Sequence, residues 1–157
     1  MKKLFLIINL LVIIFVPSVT FGNVIDKLNE VGKFTKLNET LVKSGLNEDL
    51  KGNGPFTVFA PLDDAFAAIS AKTYYGLLSE DNKDKLINIL SRHVFSKKIT
   101  SSEINGEINL KAINGEVIKI KKVNGIVYIN EAEVVTADVE VSNGVIHFIN
   151  RVLQPLN

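Results

Sequence analysis

Repeated Asn-Gly dipeptides limit how this chain can fold. They occur at 53–54, 105–106, 114–115, 124–125 and 143–144, so five of the ten glycines follow an asparagine. Both residue types tolerate the positive φ that a type I′ turn requires, and Asn-Gly between apolar runs is a strong hairpin signal. Four of the five dipeptides lie after residue 100, which predicts a series of antiparallel strands in that part of the chain.

Apolar and polar residues alternate between these dipeptides, as expected for half-buried strands. Ile118 and Ile120, for example, alternate with lysines. The apolar runs at 132–135 and 145–153 predict further strands, and an earlier strand is predicted at 56–60 because this β-rich run ends at a proline.

The residues before position 100 favour short helices. Asn23, Thr35 and Asp63 each precede a run with helical apolar spacing, and their side chains are suited to accept from the free N–H groups of a helix start. Gly32 and Gly45 are predicted to end the first two helices. A helical first part followed by an antiparallel second part predicts an α+β fold, with N-terminal helices packed on a mostly antiparallel sheet.

The first 22 residues are predicted to be a secretory signal peptide. A positively charged start precedes the apolar run Leu4–Val16, and the small residues Thr20 and Gly22 stand at the −3 and −1 positions of a cut after Gly22. The alternative is an uncleaved membrane anchor, although thirteen helical residues reach only about 20 Å of a hydrocarbon core of about 30 Å. We therefore expect one mature domain, residues 23–157, that is secreted to the periplasm, the cell surface or the medium.

Composition argues against several classes of function. The chain has no cysteine, which excludes disulfides, thiolate nucleophiles and cysteine-ligated zinc. Its net charge of +1 gives no electrostatic reason to expect nucleic-acid binding. The two histidines, His93 and His147, stand at no metal-ligand spacing, and no nucleophile elbow is present. Asp63 and Asp64 are interpreted as helix-capping residues, because adjacent residues do not face each other on a helix. We expect no enzyme, no cofactor and no metal site.

Two segments resemble the two signature segments of fasciclin domains. One runs from Thr57 to Phe66 and the other from Asn143 to Pro155, and the order and spacing of the segments also agree. The signature residues are Thr57, Val58, Phe59, Ala60, Pro61, Asp63, Phe66, Asn143, Gly144, Val145, Ile146, His147 and Pro155. The resemblance covers nearly all of residues 23–157 and implies a fasciclin-like α+β fold, in which the helices pack on a wedge-shaped, mostly antiparallel β-sandwich.

The resemblance also implies a function in adhesion or other extracellular interaction, without catalysis. In animal members, adhesion has been attributed to a Tyr-His region and to an Asp followed by Ile or Val. The matching residues here are Arg92 and His93, and Asp138 and Val139, which become the candidate partner-binding residues. Arg92 stands where the family has Tyr, which departs from that recognition pattern.

An extracellular protein or a surface glycan is the expected partner. A membrane would be involved only through an uncleaved signal segment. Two other classes of function stay open: a small-ligand carrier or hydrolase in the cell envelope, and a structural envelope component that self-associates. A carrier or hydrolase requires a deep apolar pocket with convergent polar groups.

The signature segments are expected to build the interior rather than to bind ligands. Val58, Phe66, Ile146 and Ile149 should be buried because they are apolar and lie in predicted strands or helices. His147 is expected either to face outward from a strand or to be hydrogen-bonded within the fold.

Overall fold

The structure is a computed structural model that describes residues 20–154. The predicted signal peptide lies mostly outside these residues, and so does the signature residue Pro155. The α-helices are α1 (Val24–Val31), α2 (Thr35–Ser44), α3 (Leu46–Asp49), α4 (Ala71–Leu77) and α5 (Lys83–Ser91). The strands are β1 (Phe56–Pro61), β2 (Val94–Phe95), β3 (Glu107–Lys111), β4 (Val117–Val123), β5 (Ile126–Ile129), β6 (Ala132–Val141) and β7 (Gly144–Ile149). Short 3-10 helices span Asp63–Ala68, Glu80–Asn82 and Ser101–Glu103.

The seven strands form one curved sheet in the order β2-β1-β7-β6-β5-β4-β3. Neighbouring strands are antiparallel except for β1 and β7, which run parallel with Val58 opposite Ile146. The N–H of Ile113, just after β3, donates to the carbonyl of Val94 in β2 at 2.9 Å. This bond brings the two ends of the sheet together, so that the sheet is nearly a closed barrel. The predicted α+β class and mostly antiparallel sheet are confirmed.

Two apolar cores share the strands β1 and β7. One fills the barrel and includes Phe59 and Ile149. The other lies between the helices and the outer face of the same strands, and includes Val58, Phe66 and Ile146. Because successive residues of a strand point to opposite faces, the signature segments supply side chains to both cores. Their predicted burial is confirmed, with each of these residues at most 5% exposed.

The observed helix starts agree only in part with the caps predicted from the sequence. Asn23 caps α1 as predicted, in a reciprocal capping box with Asp26. Thr35 is not a cap but the first residue of α2, whose start has no local side-chain cap. The carboxylate of Asp63 fills that role from outside, since it accepts the N–H groups of Thr35 and Lys36 at 3.2 and 2.9 Å. Asp63 therefore caps α2 rather than the 3-10 helix that it begins.

The Asn-Gly dipeptides serve different turns. Asn124 and Gly125 both have positive φ and join β4 to β5, as a type I′ hairpin requires. The dipeptide at 53–54 does not join two strands but leads into the cis Gly54–Pro55 bond before β1. Gly144 is needed for close approach, since a Cβ there would lie 1.9 Å from the carbonyl oxygen of Phe56 on the parallel strand β1.

Candidate functional site

His147 is a neutral, buried residue bonded on both ring nitrogens. It is 1% exposed. Its Nδ1 accepts the N–H of Asp138 at 3.1 Å, so the proton is on Nε2, which donates to the carbonyl of Ile99 at 2.8 Å. Burial lowers the pKa of His147, and the bond to Ile99 and the charge of Asp138 offset this only in part. The Asp138 carboxylate lies 3.9 Å from Nδ1, but with the proton on Nε2 this contact is not an ion pair.

Asp138 links two segments of backbone. Its carboxylate accepts the N–H of Ser101 at 2.7 Å and also the Ser101 hydroxyl. Burial raises the pKa of Asp138, but the two hydrogen bonds from Ser101, aided by the positive charge of Lys122, outweigh it and leave the pKa below its ordinary value. The residue has positive φ and its side chain is 39% exposed. Asp138 is therefore ionised and accessible while holding Ser101 in place.

Ser101, Asp138 and His147 are the residue types of a hydrolytic triad, but the hydrogen bonds among them are not those of a triad. The Ser101 hydroxyl donates to Asp138 rather than to a histidine nitrogen. Both nitrogens of His147 are held by backbone groups, so the histidine has no free site to take a proton from the serine. A triad needs the histidine between the other two residues, and this cluster therefore does not support the hydrolase alternative.

His93 is also buried and internally bonded, at 2% exposure. Its Nε2 accepts the N–H of Leu153 at 2.9 Å, and its Nδ1 donates to the carbonyl of Ile89 at 2.8 Å. Burial lowers the pKa of His93 to about 4, with the charge of Arg92 acting in the same direction and backbone hydrogen bonds opposing it. His93 therefore connects α5 to the C-terminal end of the domain.

Arg92 is 3% exposed and forms a bidentate ion pair. Its Nε and Nη2 donate to the two carboxylate oxygens of Glu116 at 2.7 and 2.5 Å. The hydrogen bond from Arg92 lowers the pKa of Glu116; burial opposes this, and the charge of Arg92 and the hydrogen bond from Asn114 add to the lowering. Within residues 20–154, the buried Nη1 of Arg92 has no hydrogen-bond partner. Glu116 lies in the turn between β3 and β4, and its side chain is 40% exposed. The buried Arg92 therefore holds this turn from inside the domain.

The four candidate partner-binding residues do not form one exposed patch. The side chains of Arg92 and His93 are buried, contrary to what a direct contact surface requires. Val139 is partly buried and packs against the helix-facing core. Only Asp138 presents a substantial part of its side chain to solvent. Direct partner contact through these residues stays a prediction that favours Asp138.

The other polar signature residues are likewise used inside the fold. Thr57 is fully buried and its hydroxyl accepts the N–H of Ile99 at 2.9 Å. The amide of Asn143 donates to the carbonyls of Leu50 and Gly52 and accepts the N–H of Val24 at 3.0 Å. The conformation of the β6–β7 turn is thereby tied to the start of α1 and to the loop before β1.

The clefts of the domain differ in size and character. An enclosed apolar void beside His93 and Tyr74 has a volume of about 20 Å³, which is room for a single water. A cleft of about 650 Å³ lies between the start of α4 and the β5–β6 turn, and is open to solvent. A third, of about 370 Å³, lies between β5 and the middle of β6. The small volume of the enclosed void gives no support to a carrier with a deep apolar pocket.

Within residues 20–154, no group of three or more His, Asp or Glu side chains is placed to hold a metal ion. Over the same range, no helix is long and apolar enough to span a membrane.

Comparison with known proteins identifies the family. The family profile described as "Fasciclin domain" matches residues 32–155, which is most of the chain. The chain belongs to the fasciclin domain family. The resemblance found in the two signature segments is therefore confirmed.

Relatives of this fasciclin domain occur in bacteria and animals. Protein sll1483 of Synechocystis is 46% identical over 78% of this chain and 67% of its own length. The transforming growth factor-beta-induced protein ig-h3 of Sus scrofa is 36% identical over 85% of this chain, but the match spans 19% of that protein. A solved FAS1 domain pair from the insect cell adhesion molecule Fasciclin I has the same fold, with a TM-score of 0.75, 23% identity and coverage of 87% of this chain and 52% of that chain.

Proposed function

We propose that this fasciclin domain is a non-catalytic binding module that acts outside the cytoplasm, with an extracellular protein or a surface glycan as its partner. The observation that carries the proposal is that the polar signature side chains are all engaged within the fold. The signature residue His147 uses both ring nitrogens on internal partners, and so does the candidate binding residue His93. Side chains committed in this way hold the domain together, and recognition is then left to the exterior.

Membership in the family supports the same proposal. A structural relative comes from a protein named as a cell adhesion molecule. Adhesion requires an accessible surface and no reacting group, which agrees with the internal bonding of the Ser101, Asp138 and His147 cluster.

The proposal includes secretion of residues 23–157 after cleavage behind Gly22. Asn23 is the N-cap of α1, so this cut would leave the first helix and its capping side chain in place. N-terminal sequencing of the exported protein should give Asn23 as the first residue. Recovery of a chain that still begins at Met1 would show an uncleaved segment instead.

Binding is tested with the mature domain as bait. Residues 23–157 are immobilised on beads and incubated with extracellular material, and the retained proteins are identified by mass spectrometry beside a glycan array probed with the same domain. Beads without protein are the control. We expect a protein or glycan that is enriched on the domain; enrichment of neither at micromolar domain concentration would refute the proposal.

A further inference from the structure

The sheet opens between two of its central strands. The ladder between β5 and β6 has two residue pairs, Tyr128 with Glu133 and Ile129 with Ala132. Continued in register, it would next place Val127 opposite Val134 and Ile126 opposite Val135, but the described structure contains neither pair. The strands separate there, and the cleft of about 370 Å³ lies between the separated edges. We call it the β5–β6 cleft.

Irregularities in β6 account for the separation. The register between β6 and β7 shifts twice, between Val134 and Thr136 and again before Val139. Such bulges bend a strand and increase its twist, which turns its far edge away from a regular neighbour. Ser101, bonded to the Asp138 carboxylate and accepting Lys122 Nζ on its carbonyl at 3.0 Å, fixes one end of the opening.

The walls of the β5–β6 cleft present apolar side chains. Ile126 and Val135 are 40% and 47% exposed, although both are β-branched residues that ordinarily cover a neighbouring strand. Val127 and Val134 point the other way, into the barrel core, and are buried. The outer face of the opening is therefore apolar on both sides, while its base is closed by the core.

One end of the β5–β6 cleft carries a carboxylate. Glu133 lines it at the end where the ladder stops. Within residues 20–154, Glu133 forms no ion pair. The ammonium of Lys121, on the neighbouring strand β4, lies 5.7 Å from the centre of the Tyr128 ring and is not paired with Glu133. A cationic side chain on an incoming ligand would complement this carboxylate.

We propose that the β5–β6 cleft binds an extended segment of a protein partner by strand addition. The segment lies along the separated edge of β6, places β-branched side chains at alternate positions between Ile126 and Val135, and carries a lysine or arginine that meets Glu133. Backbone hydrogen bonds give such a complex its affinity, and the alternate side chains give it specificity. The inference rests on the proposed function and specifies that the partner is a protein rather than a glycan.

The probe is a synthetic peptide, acetyl-Lys-Val-Thr-Val-Thr-Val-Thr-amide, titrated calorimetrically into residues 23–157. One control carries N-methyl groups on alternate residues, which remove N–H donors without changing the side chains. The other carries Glu in place of Lys. We expect millimolar or tighter binding, at least about tenfold weaker binding of the N-methylated peptide, and about two- to fivefold weaker binding of the Glu peptide. Equal affinity for the three peptides, or no binding, would overturn the proposal.

Amide hydrogen exchange locates the peptide. We expect slower exchange in 126–127 and 134–137 when the peptide is bound. The outer strand β3, Glu107–Lys111, is another free sheet edge, and slowing confined to β3 would overturn the assignment to the β5–β6 cleft.

Matched variants separate the cleft from the rest of the sheet. Ile126→Thr and Val135→Thr keep β-branched residues but remove apolar contact, and each should weaken peptide binding. Val117→Thr makes the same kind of change at a 61% exposed position of β4 outside the cleft and should have no effect. Glu133→Gln should abolish the preference for the Lys peptide over the Glu peptide. Equal effects of Val117→Thr and Val135→Thr would contradict the proposal.

The outcome is independent of the broader function. A domain that retains extracellular protein but does not bind the peptide would leave the binding function standing and refute the β5–β6 cleft as its site. A domain that binds the peptide but retains no extracellular protein or glycan would refute the proposed function instead.

Discussion

Replacement of Asp63 by Ala should destabilise the domain through a helix that lies 28 residues away in sequence. The Asp63 carboxylate accepts two N–H groups at the start of α2, at 3.2 and 2.9 Å, and α2 has no other side-chain cap. Removal of an N-cap side chain costs about 1 kcal/mol, up to about 2 kcal/mol in the stronger cases. Because two donors lose a charged acceptor here, we expect a loss of about 2 kcal/mol, which corresponds to about 8 °C in Tm for a domain of this size.

Asp64 provides the matched control. It is exposed, belongs to the same 3-10 helix, and makes none of the side-chain contacts described for Asp63. Both Ala variants are unfolded in urea and followed by circular dichroism, with thermal unfolding as a second readout. Asp63→Ala should lower the free energy of unfolding by about 2 kcal/mol, whereas Asp64→Ala should change it by less than about 0.5 kcal/mol. Equal losses in the two variants would refute the capping role of Asp63.

Three further predictions concern buried polar groups. Because the folded pKa of His93 is about 4 and its ordinary value is 6.5, the unfolded chain binds the proton first as the pH falls. The free energy of unfolding should therefore decrease by about 3 kcal/mol as the pH decreases between these values. Urea unfolding at a series of pH values should show that it depends less on pH in His93→Gln. Glu116→Gln should destabilise the domain more than Arg92→Met in the same assay, because it leaves a buried guanidinium without its counter-charge, whereas Glu116 is 40% exposed and can be solvated. Asn143→Ala should cost about 3 kcal/mol in thermal unfolding, because it leaves three backbone groups without their partner.

Features that depend on neighbouring residues were predictable from the sequence. The Asn124-Gly125 turn follows from the conformations that these two residues tolerate, and the Asn23 cap follows from its position before an amphipathic run. The burial of the signature segments follows from their apolar content. These interactions are local or depend on hydrophobicity alone, so one sequence is enough to find them.

Features that depend on distant residues were not predicted. The role of Asp63 requires α2 to lie beside the end of β1, and the parallel pairing of β1 with β7 joins segments about ninety residues apart in sequence. Helix α4 was missed because Tyr74 is its only buried residue and Gly76 lies within it. Its one local signal was Ser70, which accepts the N–H of Thr73 at 3.1 Å as a cap.

The candidate site shows the same division. The segment match proposed Arg92, His93 and Asp138 as partner-binding residues, but it gave no sign that Arg92 and His93 are buried and bonded to Glu116 and to the backbone of Leu153. The β5–β6 cleft arises from shifts in strand register. A register shift leaves no residue motif, although the unbroken run Val134-Val135 departs from strict alternation and was a weak signal.

The central claim is tested most directly by comparing how two variants bind the extracellular protein that the immobilised domain captures. The claim is that the signature residues build the frame and that recognition lies on the exterior, at the β5–β6 cleft. The double variant Ile126→Thr, Val135→Thr should lose attachment at nearly unchanged Tm, whereas Asp63→Ala, measured below its lowered Tm, should attach like the parent domain. Loss of attachment in folded Asp63→Ala together with full attachment of the double variant would contradict the claim.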